Sequence, residues 1–506
     1  MGATVKSILD AGNQAVLIDV ECHVSNGLPT ILIVGFANKA VDESKERIRG
    51  AFSSAKLELP RKRIIINLAP ADVPKNSTSF DLPMVASILL ASGQVAQPIP
   101  HTTALIGELG LDGNIRAVRG IIGKLLGGRQ KGLKTFYIPR DNLQQAMLVP
   151  GLELVPVATV RELYLDLTDT VSLKRVQSGA KILATDKTNV HSIDFGDVVG
   201  QARAKRALEI AAAGGHNIFM NGAPGSGKSM LAKALPTILP DMTTEEMLET
   251  THVHSLTSKE YEQIITQRPF RSPHHSSSMI SIMGGGQNPR PGEISLAHNG
   301  VLFFDEFPEF NRAVLEGLRQ PLEDRKVSIA RARDTVEFPA HFVLVATSNP
   351  CPCGYYGSSK TCICPPYQIA KYRQKVSGPI IDRIDLYIDV DEVKHEQLLR
   401  DSSQESSSSI QKRVAKARKR QLDRYRSVSK QNATLTNRDI KGFLTIQPEA
   451  EELLNRAAQK LDISARSYMK ILKVAQTIAD LSAQSSIQPE HVSEALQYRR
   501  PSNQTF

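Results

Sequence analysis

The feature that most constrains the fold is a glycine-rich stretch that fits the pattern G-x-x-x-x-G-K-[ST]. Its members are Gly222, Ala223, Pro224, Gly225, Ser226, Gly227, Lys228 and Ser229. The apolar run 218–220 precedes it and a helix-compatible run, 230–235, follows it. This context predicts a strand, a loop and a helix, with backbone N–H groups of the loop pointing at phosphates. In such a loop Lys228 reaches the β- and γ-phosphates and Ser229 ligates Mg²⁺.

A second strand and an acidic pair lie further along the chain. The apolar run 301–304 predicts a central strand of a parallel sheet, and Asp305 and Glu306 follow at its carboxyl end, where such sheets bind ligands. We expect Asp305 to hold the Mg²⁺ shell and Glu306 to polarise the attacking water. The alternative is a buried strand that ends in solvated acids. Together the two motifs predict binding and hydrolysis of a nucleoside triphosphate, ATP, with Mg²⁺.

Length and composition set broad limits. The chain has 506 residues, which is too long for one core and suggests several domains. No apolar run is long enough to span a membrane, and the first residues do not resemble a secretory signal, so we expect a cytoplasmic protein without membrane contact. The net charge of +10 is compatible with a polyanionic partner.

Four of the five cysteines cluster. They are Cys351, Cys353, Cys362 and Cys364. Because disulfides are disfavoured in the cytosol, their spacing favours a structural Zn²⁺ held by four thiolates. The alternative is a tight loop of reduced thiols.

The patterning predicts three folded regions and two linkers. Residues 1–170 alternate short β-rich runs with helical segments and predict an α/β domain, followed by a linker at 171–190. Residues 191–391 carry the nucleotide motifs and predict a doubly wound parallel sheet. A serine-rich linker is predicted at 392–410, and residues 411–506 show helical periodicity.

Further motifs give a resemblance to a known superfamily. Asp197 to Gln201, Ser348-Asn349-Pro350, Asp382-Arg383 and Ser464-Ala465-Arg466, together with the phosphate loop and the acidic pair, resemble an AAA+ ATPase with a C-terminal helical lid. That resemblance implies three roles. Asn349 would be the sensor-1 residue that orients water, Arg383 the arginine finger that reaches the neighbouring subunit's nucleotide, and Arg466 the sensor-2 arginine.

More specific motifs narrow the resemblance. Pro273-His274-His275, the run 291–300 and Asn349-Pro350-Cys351-Pro352-Cys353-Gly354 look like the magnesium-chelatase-like branch. Within it the chain is similar to the ComM (YifB-type) competence proteins along nearly its whole length. That family implies a homo-hexameric ring and an ATP-driven DNA helicase that promotes branch migration during recombination in natural transformation, acting on single-stranded and branched DNA.

Two inserts typical of this branch are predicted as hairpins, at 326–338 and 278–294. In a ring they would line the pore, where Arg331 and Arg333 contact DNA phosphates without reading bases. The alternative is a solvated hairpin. A basic run from Lys412 to Arg426 is interpreted as a solvated lid helix, with DNA binding as its alternative.

The N-terminal region contains two segments, 75–79 and 134–139, that resemble the Lon protease domain, a fold related to ribosomal protein S5 domain 2. Ser79 stands where the nucleophile would be, but Ile122 takes the place of the catalytic lysine and Lys124 is displaced from it. Because a serine needs an adjacent base, we predict a domain without proteolytic activity. The competing functions are a chelatase-like ATPase that remodels a protein partner and an ATP-dependent protease, which Ile122 disfavours.

Overall fold

The computed structural model describes most of the chain in two compact units, each of which is treated by itself. The described residues are 2–10, 15–35, 39–73, 75, 77–179, 193–257, 264–286, 289–330, 335–358, 360–376, 378–392, 405–428 and 430–500. The first unit comprises Met1–Asp186, Thr243–Thr266 and Ala330–Glu337, and the second comprises Lys187–Met242, Gln267–Ile329 and Phe338–Phe506. The region that carries the nucleotide motifs is therefore not a contiguous stretch of sequence.

An eight-stranded mixed sheet forms the first unit, in the order β10-β9-β8-β5-β1-β2-β4-β3. Burial along β4 alternates with a period of two, so that one face of the strand is buried in the core. A separate pair, β6 and β7, lies outside the sheet. The strands are β1 (Gly2–Asp10), β2 (Ala15–Ser25), β3 (Thr30–Val34), β4 (Arg63–Ala69), β5 (Thr103–Leu105), β6 (Glu108–Leu109), β7 (Ile115–Arg116), β8 (Thr135–Pro139), β9 (Glu153–Val157) and β10 (Val176–Gln177).

Helices cover this sheet. The helix Asp81–Ala91 is buried over almost its whole length because it is apolar on nearly every side. The other helices of the unit are Lys39–Asp42, Ser44–Ser54, Ile121–Gln130, Leu143–Ala146, Val160–Leu167 and Thr244–Ser255, with 3₁₀ turns at Thr78–Phe80 and Arg140–Asn142.

The second unit is built on a five-stranded, fully parallel sheet in the order β12-β15-β18-β11-β19. Every residue of β15 and β18 is buried, as expected for strands covered on both faces. Two small hairpins, β13-β14 and β16-β17, are separate from this sheet, and Ala330–Glu337 of the second hairpin is counted with the first unit. The strands are β11 (Ile218–Asn221), β12 (Phe270–Arg271), β13 (Gly284–Gly285), β14 (Arg290–Pro291), β15 (Val301–Phe304), β16 (Lys326–Ala330), β17 (Thr335–Pro339), β18 (Val343–Ser348) and β19 (Leu386–Asp389).

The helices of the second unit flank the sheet and then form the C-terminal lid. Around the sheet they are Ala202–Gly214, Lys228–Ile238, Met279–Met283, Glu293–Leu296, Arg312–Gly317, Arg319–Asp324, Pro366–Arg373 and Gly378–Ile381. In the lid they are Ser407–Tyr425, Asn437–Phe443, Pro448–Lys460, Ala465–Leu481 and Pro489–Gln497. Short 3₁₀ turns occupy Phe195–Asp197, Phe307–Glu309 and Asn432–Thr434. The predicted α/β class with a parallel sheet and a helical C-terminus is confirmed.

Two parts of the predicted linkers are ordered. Val176–Gln177 pairs antiparallel with β9 and so extends the first sheet. The serine-rich stretch begins a helix, because the Ser406 side chain accepts a hydrogen bond from the Ser409 N–H as an N-cap. Ser407 is buried there, where its N–H donates to the Asp194 carboxylate over 3.0 Å. Serines that suit a flexible linker also suit a helix start, and sequence composition does not separate the two.

Within the described residues no helix combines the length and the apolar character that crossing a membrane requires.

Candidate nucleotide site and its surroundings

The sheet order places three loops side by side at the carboxyl edge of the second unit. β18 lies between β15 and β11, so the loops that follow these strands are neighbours. They carry the phosphate loop after β11, the acidic pair after β15 and Asn349 after β18. Residues that are far apart in sequence therefore meet at one edge, which is where open α/β sheets bind ligands.

The phosphate loop has the backbone that its glycines predict. Gly225 and Gly227 have φ values of +82° and +90°, a region that side chains with a Cβ rarely adopt. Gly222 is needed for space, because a Cβ there would lie 2.5 Å from the Val390 carbonyl oxygen. Gly227 is also the N-cap of the helix Lys228–Ile238, so the first N–H groups of that helix face the loop. This arrangement attracts anions.

Lys228 is buried within the loop. Its Nζ donates to the carbonyl oxygens of Gly222 and Ala223, over 2.6 and 2.9 Å, and to Asn349 Oδ1 over 3.3 Å. Burial lowers the pKa of Lys228, although the charges of Asp305 and Glu306 oppose the effect. A phosphate in this loop would favour the charged ammonium, so the site gains from an anionic ligand.

The acidic pair is divided between two sets of contacts. Asp305 accepts hydrogen bonds from Ser229 Oγ over 3.0 Å and from Thr347 Oγ1 over 2.6 Å. Glu306 has a left-handed backbone, with φ of +52°, and its N–H donates to Thr347 Oγ1 over 3.1 Å. Its carboxylate accepts a hydrogen bond of 3.4 Å from Asn349 Nδ2. Thr347, which belongs to none of the sequence motifs, therefore forms hydrogen bonds with both acidic residues.

The oxygens of Ser229 and Asp305 fit a magnesium ion. Their separation of 3.0 Å matches the edge of an Mg²⁺ octahedron, about 3.0 Å for metal–oxygen bonds of about 2.1 Å. Hydroxyl and carboxylate oxygens are also the ligands that Mg²⁺ prefers. These two side chains can therefore both ligate one ion.

The loop also offers donors that suit a nucleotide. Ser226 Oγ is buried and, among the residues that the structure describes, has no hydrogen-bond partner. Gln201, from the predicted motif that precedes the loop, donates to the Ser226 carbonyl over 3.1 Å and to the Asp391 carbonyl over 2.6 Å. Gln201 thus stabilises the phosphate loop through these hydrogen bonds. This role could not be predicted from its position in the sequence.

Arg383 lies at the opposite, amino edge of the sheet. Its carbonyl accepts a hydrogen bond of 2.9 Å from Asn217, the residue before β11, and β19 starts only after it. The four residues of β11, about 13 Å of strand, separate this edge from the phosphate loop of the same chain. The Arg383 side chain is 12% exposed and pairs with Glu323, whose pKa this contact lowers.

Arg466 lies at the same amino edge. Its Nη1 is 3.7 Å from Asp382 Oδ2, and its side chain is 49% exposed. One turn further along the same helix, Lys470 Nζ donates to the Ile384 carbonyl over 2.7 Å and fixes the helix start to this edge. Neither arginine therefore lies beside this chain's own phosphate loop.

The four cysteine sulfurs lie within 4.8 Å of one another. Cys351 Sγ is 3.4 Å from Cys353 Sγ and 3.7 Å from Cys362 Sγ, and the last two are 3.6 Å apart. Tetrahedral zinc with Zn–S bonds of about 2.3 Å has sulfur–sulfur edges of about 3.8 Å. The sulfur positions therefore fit one zinc ion.

The thiols also influence one another electrostatically. A backbone hydrogen bond from Tyr355 lowers the pKa of Cys353 to about 6. A backbone hydrogen bond from Cys364 lowers the pKa of Cys362, but desolvation and the neighbouring thiols outweigh it and raise the pKa to about 12. A cation between the sulfurs would remove this conflict, because it stabilises every thiolate.

The two predicted inserts form small hairpins. Strands β16 and β17 make a two-stranded sheet, and β13 and β14 make another between the helices Met279–Met283 and Glu293–Leu296. Arg331 and Arg333 lie outside the described residues.

The basic run forms the helix Ser407–Tyr425, and part of it is used in packing. Arg413 pairs with Glu209 over 2.7 Å, and Arg424 pairs with the buried Asp480. The exposed members, Lys412, Lys416 and Lys419, follow a helical spacing on the solvent side. These contacts favour the interpretation as a lid helix.

The serine and the isoleucine of the segments that resemble a protease domain are both buried. Ser79 is 1% exposed and its hydroxyl lies 2.8 Å from Ser77 Oγ. Ile122 is fully buried in a hydrophobic cluster, where it packs and cannot act as a base. Burial limits the access of a substrate to Ser79, and isoleucine offers no base that could activate a serine.

Three regions of the chain match families that are described as parts of magnesium chelatase. Residues 194–398 match "Magnesium chelatase, subunit ChlI", residues 20–142 match "Subunit ChlI of Mg-chelatase", and residues 404–499 match "Magnesium chelatase, subunit ChlI C-terminal".

Individual relatives cover the whole chain or part of it. The chain is 41% identical to "Competence protein ComM" of Haemophilus influenzae, over 98% of this chain and 97% of the relative. It is 39% identical to the YifB protein of Escherichia coli K12, over 96% and 95%. It is also 35% identical to Lon protease 2 of Bacillus subtilis, over only 18% of this chain and 17% of the relative, which supports the Lon-like N-terminal fold. The chain belongs to the ComM/YifB family of magnesium-chelatase-like AAA+ proteins.

Proposed function

We propose that this chain is a Mg²⁺-dependent ATPase. The observation that supports this most is the convergence of Lys228, Ser229, Asp305, Glu306 and Asn349 at one sheet edge. The loop N–H groups and Lys228 hold the triphosphate, and Ser229 and Asp305 hold the metal ion. When bound, Mg²⁺ neutralises charge that develops on the β- and γ-phosphates. Glu306 polarises the attacking water, and Asn349 orients it.

The site is shared between subunits of a ring, in this proposal. Arg383 and Arg466 lie at the amino edge, so a head-to-tail contact between two copies brings them to the neighbour's phosphates. Among the described residues Arg383 Nε is buried and has no hydrogen-bond partner, which suits a side chain that receives an anion. A contact of this kind closes into a ring when the rotation per subunit allows it, and the family resemblance indicates six subunits.

We further propose that the ring is a DNA helicase that promotes branch migration in homologous recombination during natural transformation. The whole-length similarity to a protein named for competence supports this, as do the two hairpins and the net charge of +10. Arg331 and Arg333 would bind the phosphate backbone of single-stranded or branched DNA in the pore.

The most direct test of the DNA assignment is stimulation of ATP turnover by DNA. We expect single-stranded and branched DNA to raise turnover, and the double variant Arg331→Ala with Arg333→Ala to lose DNA affinity while it keeps basal turnover. If neither DNA binds or stimulates turnover, the helicase assignment is wrong.

A chelatase-like ATPase that remodels a protein partner is the second candidate, because all three family matches carry the name of magnesium chelatase. It would show turnover that is insensitive to DNA and stimulated by the partner. An ATP-dependent protease is disfavoured by the buried Ile122 and Ser79. If the protein cleaves casein and the Ser79→Ala variant does not, the protease assignment would be supported again.

We propose that the four cysteines hold structural Zn²⁺, on the basis of their sulfur separations. Elemental analysis of the purified protein should find about one zinc per chain, and the variant with all four cysteines changed to serine should contain none. A wild-type protein without zinc would end this assignment.

A further inference from the structure

The loop that carries the four thiols is physically joined to the ATPase centre. Its first cysteine is separated from Asn349 only by Pro350. Asn349 in turn contacts Lys228 and Glu306 through its side chain. Any movement of Cys351 therefore acts on the residue that lies between the phosphate loop and the acidic pair.

The far end of the loop returns to the same place. The helix Pro366–Arg373 starts just after Cys364. Burial raises the pKa of its Tyr372 to about 12, while interactions with the Ser348 side chain and the Asn349 backbone oppose the effect. Arg373 Nε donates to the Pro350 carbonyl over 3.4 Å. The segment between Asn349 and this helix is thus a closed loop with the sulfur cluster inside it.

The middle of the loop contacts the phosphate loop directly. Gly354 has φ of +86°, and a Cβ there would lie 2.5 Å from Pro224 Cγ and 4.0 Å from Asn349 Cγ. Pro224 is part of the phosphate loop. Gly354 therefore packs against both the phosphate loop and the Asn349 side chain.

The loop has few apolar contacts that could hold it in this position. Cys351 is buried, but Tyr356 and Ile363 are 49% and 84% exposed. None of the described residues from 352 to 364 belongs to a hydrophobic core cluster. A cross-link through the sulfurs would restrict such a loop further, since it removes entropy of the open chain.

We propose that the four-thiol loop, once a metal ion ties it together, is a positioning element of the ATPase centre that fixes Asn349 and supports the phosphate loop at Pro224. Turnover then depends on the metal although the metal touches neither ATP nor water. This inference rests on the proposed ATPase activity, and its metal dependence rests on the proposed zinc.

One pair of variants isolates the contact with the phosphate loop. Gly354→Ala and Gly357→Ala impose the same backbone penalty, since their φ values are +86° and +79°, but only the first adds a methyl group that meets Pro224. Both keep every thiol. We expect Gly354→Ala to weaken ATP binding, measured with a fluorescent ATP analogue, about tenfold at unchanged zinc content, and Gly357→Ala to stay within about twofold of wild type. Equal effects of the two variants would overturn the proposed contact.

A second pair tests the metal. In the full-length protein, the double variant Cys362→Ser with Cys364→Ser should contain no zinc. Its kcat should fall more than about tenfold, while the thermal unfolding transition of the rest of the chain stays the same. The control Ile363→Ser, which introduces the same polar group at an exposed position between them, should keep both zinc and kcat. Full turnover in the zinc-free double variant would overturn the metal dependence. If the wild-type protein contains no zinc, the proposed metal dependence is wrong. The comparison of Gly354→Ala with Gly357→Ala would still test the contact between the thiol loop and the phosphate loop.

Discussion

At the carboxyl edge of the five-stranded sheet, Lys228, Asp305 and Asn349 form one connected network with their neighbours. At the amino edge, Arg383 and Arg466 are instead held by acids of their own edge, Glu323 and Asp382. The first edge carries the groups that we propose for nucleotide binding, whereas the second offers cations with no phosphate loop of the same chain beside them. If the proposed shared site is right, two copies form the catalytic unit, and ATP binding and turnover can be separated by mutation.

Arg383→Ala should have the largest effect on turnover. Removing a cation from the charge that develops on the transferred phosphoryl group should lower kcat about 10³-fold, while ATP affinity changes little because binding belongs to the other edge. ATPase assays on rings whose assembly is verified by light scattering measure this. The control is Arg319→Ala, which removes an arginine from an exposed ion pair and should leave kcat unchanged. Undiminished turnover of Arg383→Ala would remove this residue from the shared site.

Lys228→Ala tests the carboxyl edge. Loss of its charge-assisted hydrogen bonds should weaken ATP binding by roughly 30- to 100-fold, measured by calorimetry with Mg²⁺ and ATP. Lys233→Ala, at an exposed position on the same helix, provides the control. If both lysine variants bind ATP equally well, the phosphate loop is not the nucleotide site.

Arg466→Ala should have an intermediate effect. Its side chain is more exposed than that of Arg383 and its ion pair with Asp382 is long, so we expect a loss in kcat of about tenfold. Arg456→Ala, an exposed arginine of the preceding helix, should show none. A large loss of ATP affinity with normal kcat would instead place Arg466 in the binding half of the site.

Thr347→Val should have the smallest effect. The substitution keeps the shape but removes the hydroxyl that donates to Asp305 and accepts from the Glu306 N–H. We expect a fivefold to tenfold lower kcat, about 1 kcal/mol for one lost hydrogen bond, with little change in affinity. Thr347→Ser keeps the hydroxyl and should restore most of the rate. If Thr347→Ser lowers kcat as much as Thr347→Val does, the loss comes from the packing of the methyl group and not from the hydroxyl.

Much of the fold and the carboxyl edge could be predicted from the sequence, because local patterns carry them. Glycines that need positive φ, a lysine and a serine after them, and an apolar run that ends in two acids each specify their own structure. The remaining features depend on long-range contacts. In the sequence, Thr347 is an ordinary polar residue near the end of a buried strand. Its contact with the two acidic residues follows only from the pairing of β18 with β15. Two other contacts likewise cannot be predicted without the fold. They are the contact of Gly354 with Pro224 and the ion pair of Arg466 with Asp382. The helical start at Ser407 was not predicted because the serines that cap it also suit a flexible linker, and because Asp194, which accepts from the Ser407 N–H, is distant in sequence.

In the proposed ring, each ATPase site combines the carboxyl edge of one subunit with the amino edge of the next. Mixing two inactive variants tests it most directly. Glu306→Gln subunits bind ATP without hydrolysing it and still present Arg383, whereas Arg383→Ala subunits keep an intact carboxyl edge. In rings assembled from equal amounts of the two, about a quarter of the sites combine both intact halves, so turnover should recover to about a quarter of the wild-type rate. Mixed rings, verified as such, that remain as inactive as either variant alone would contradict the shared site.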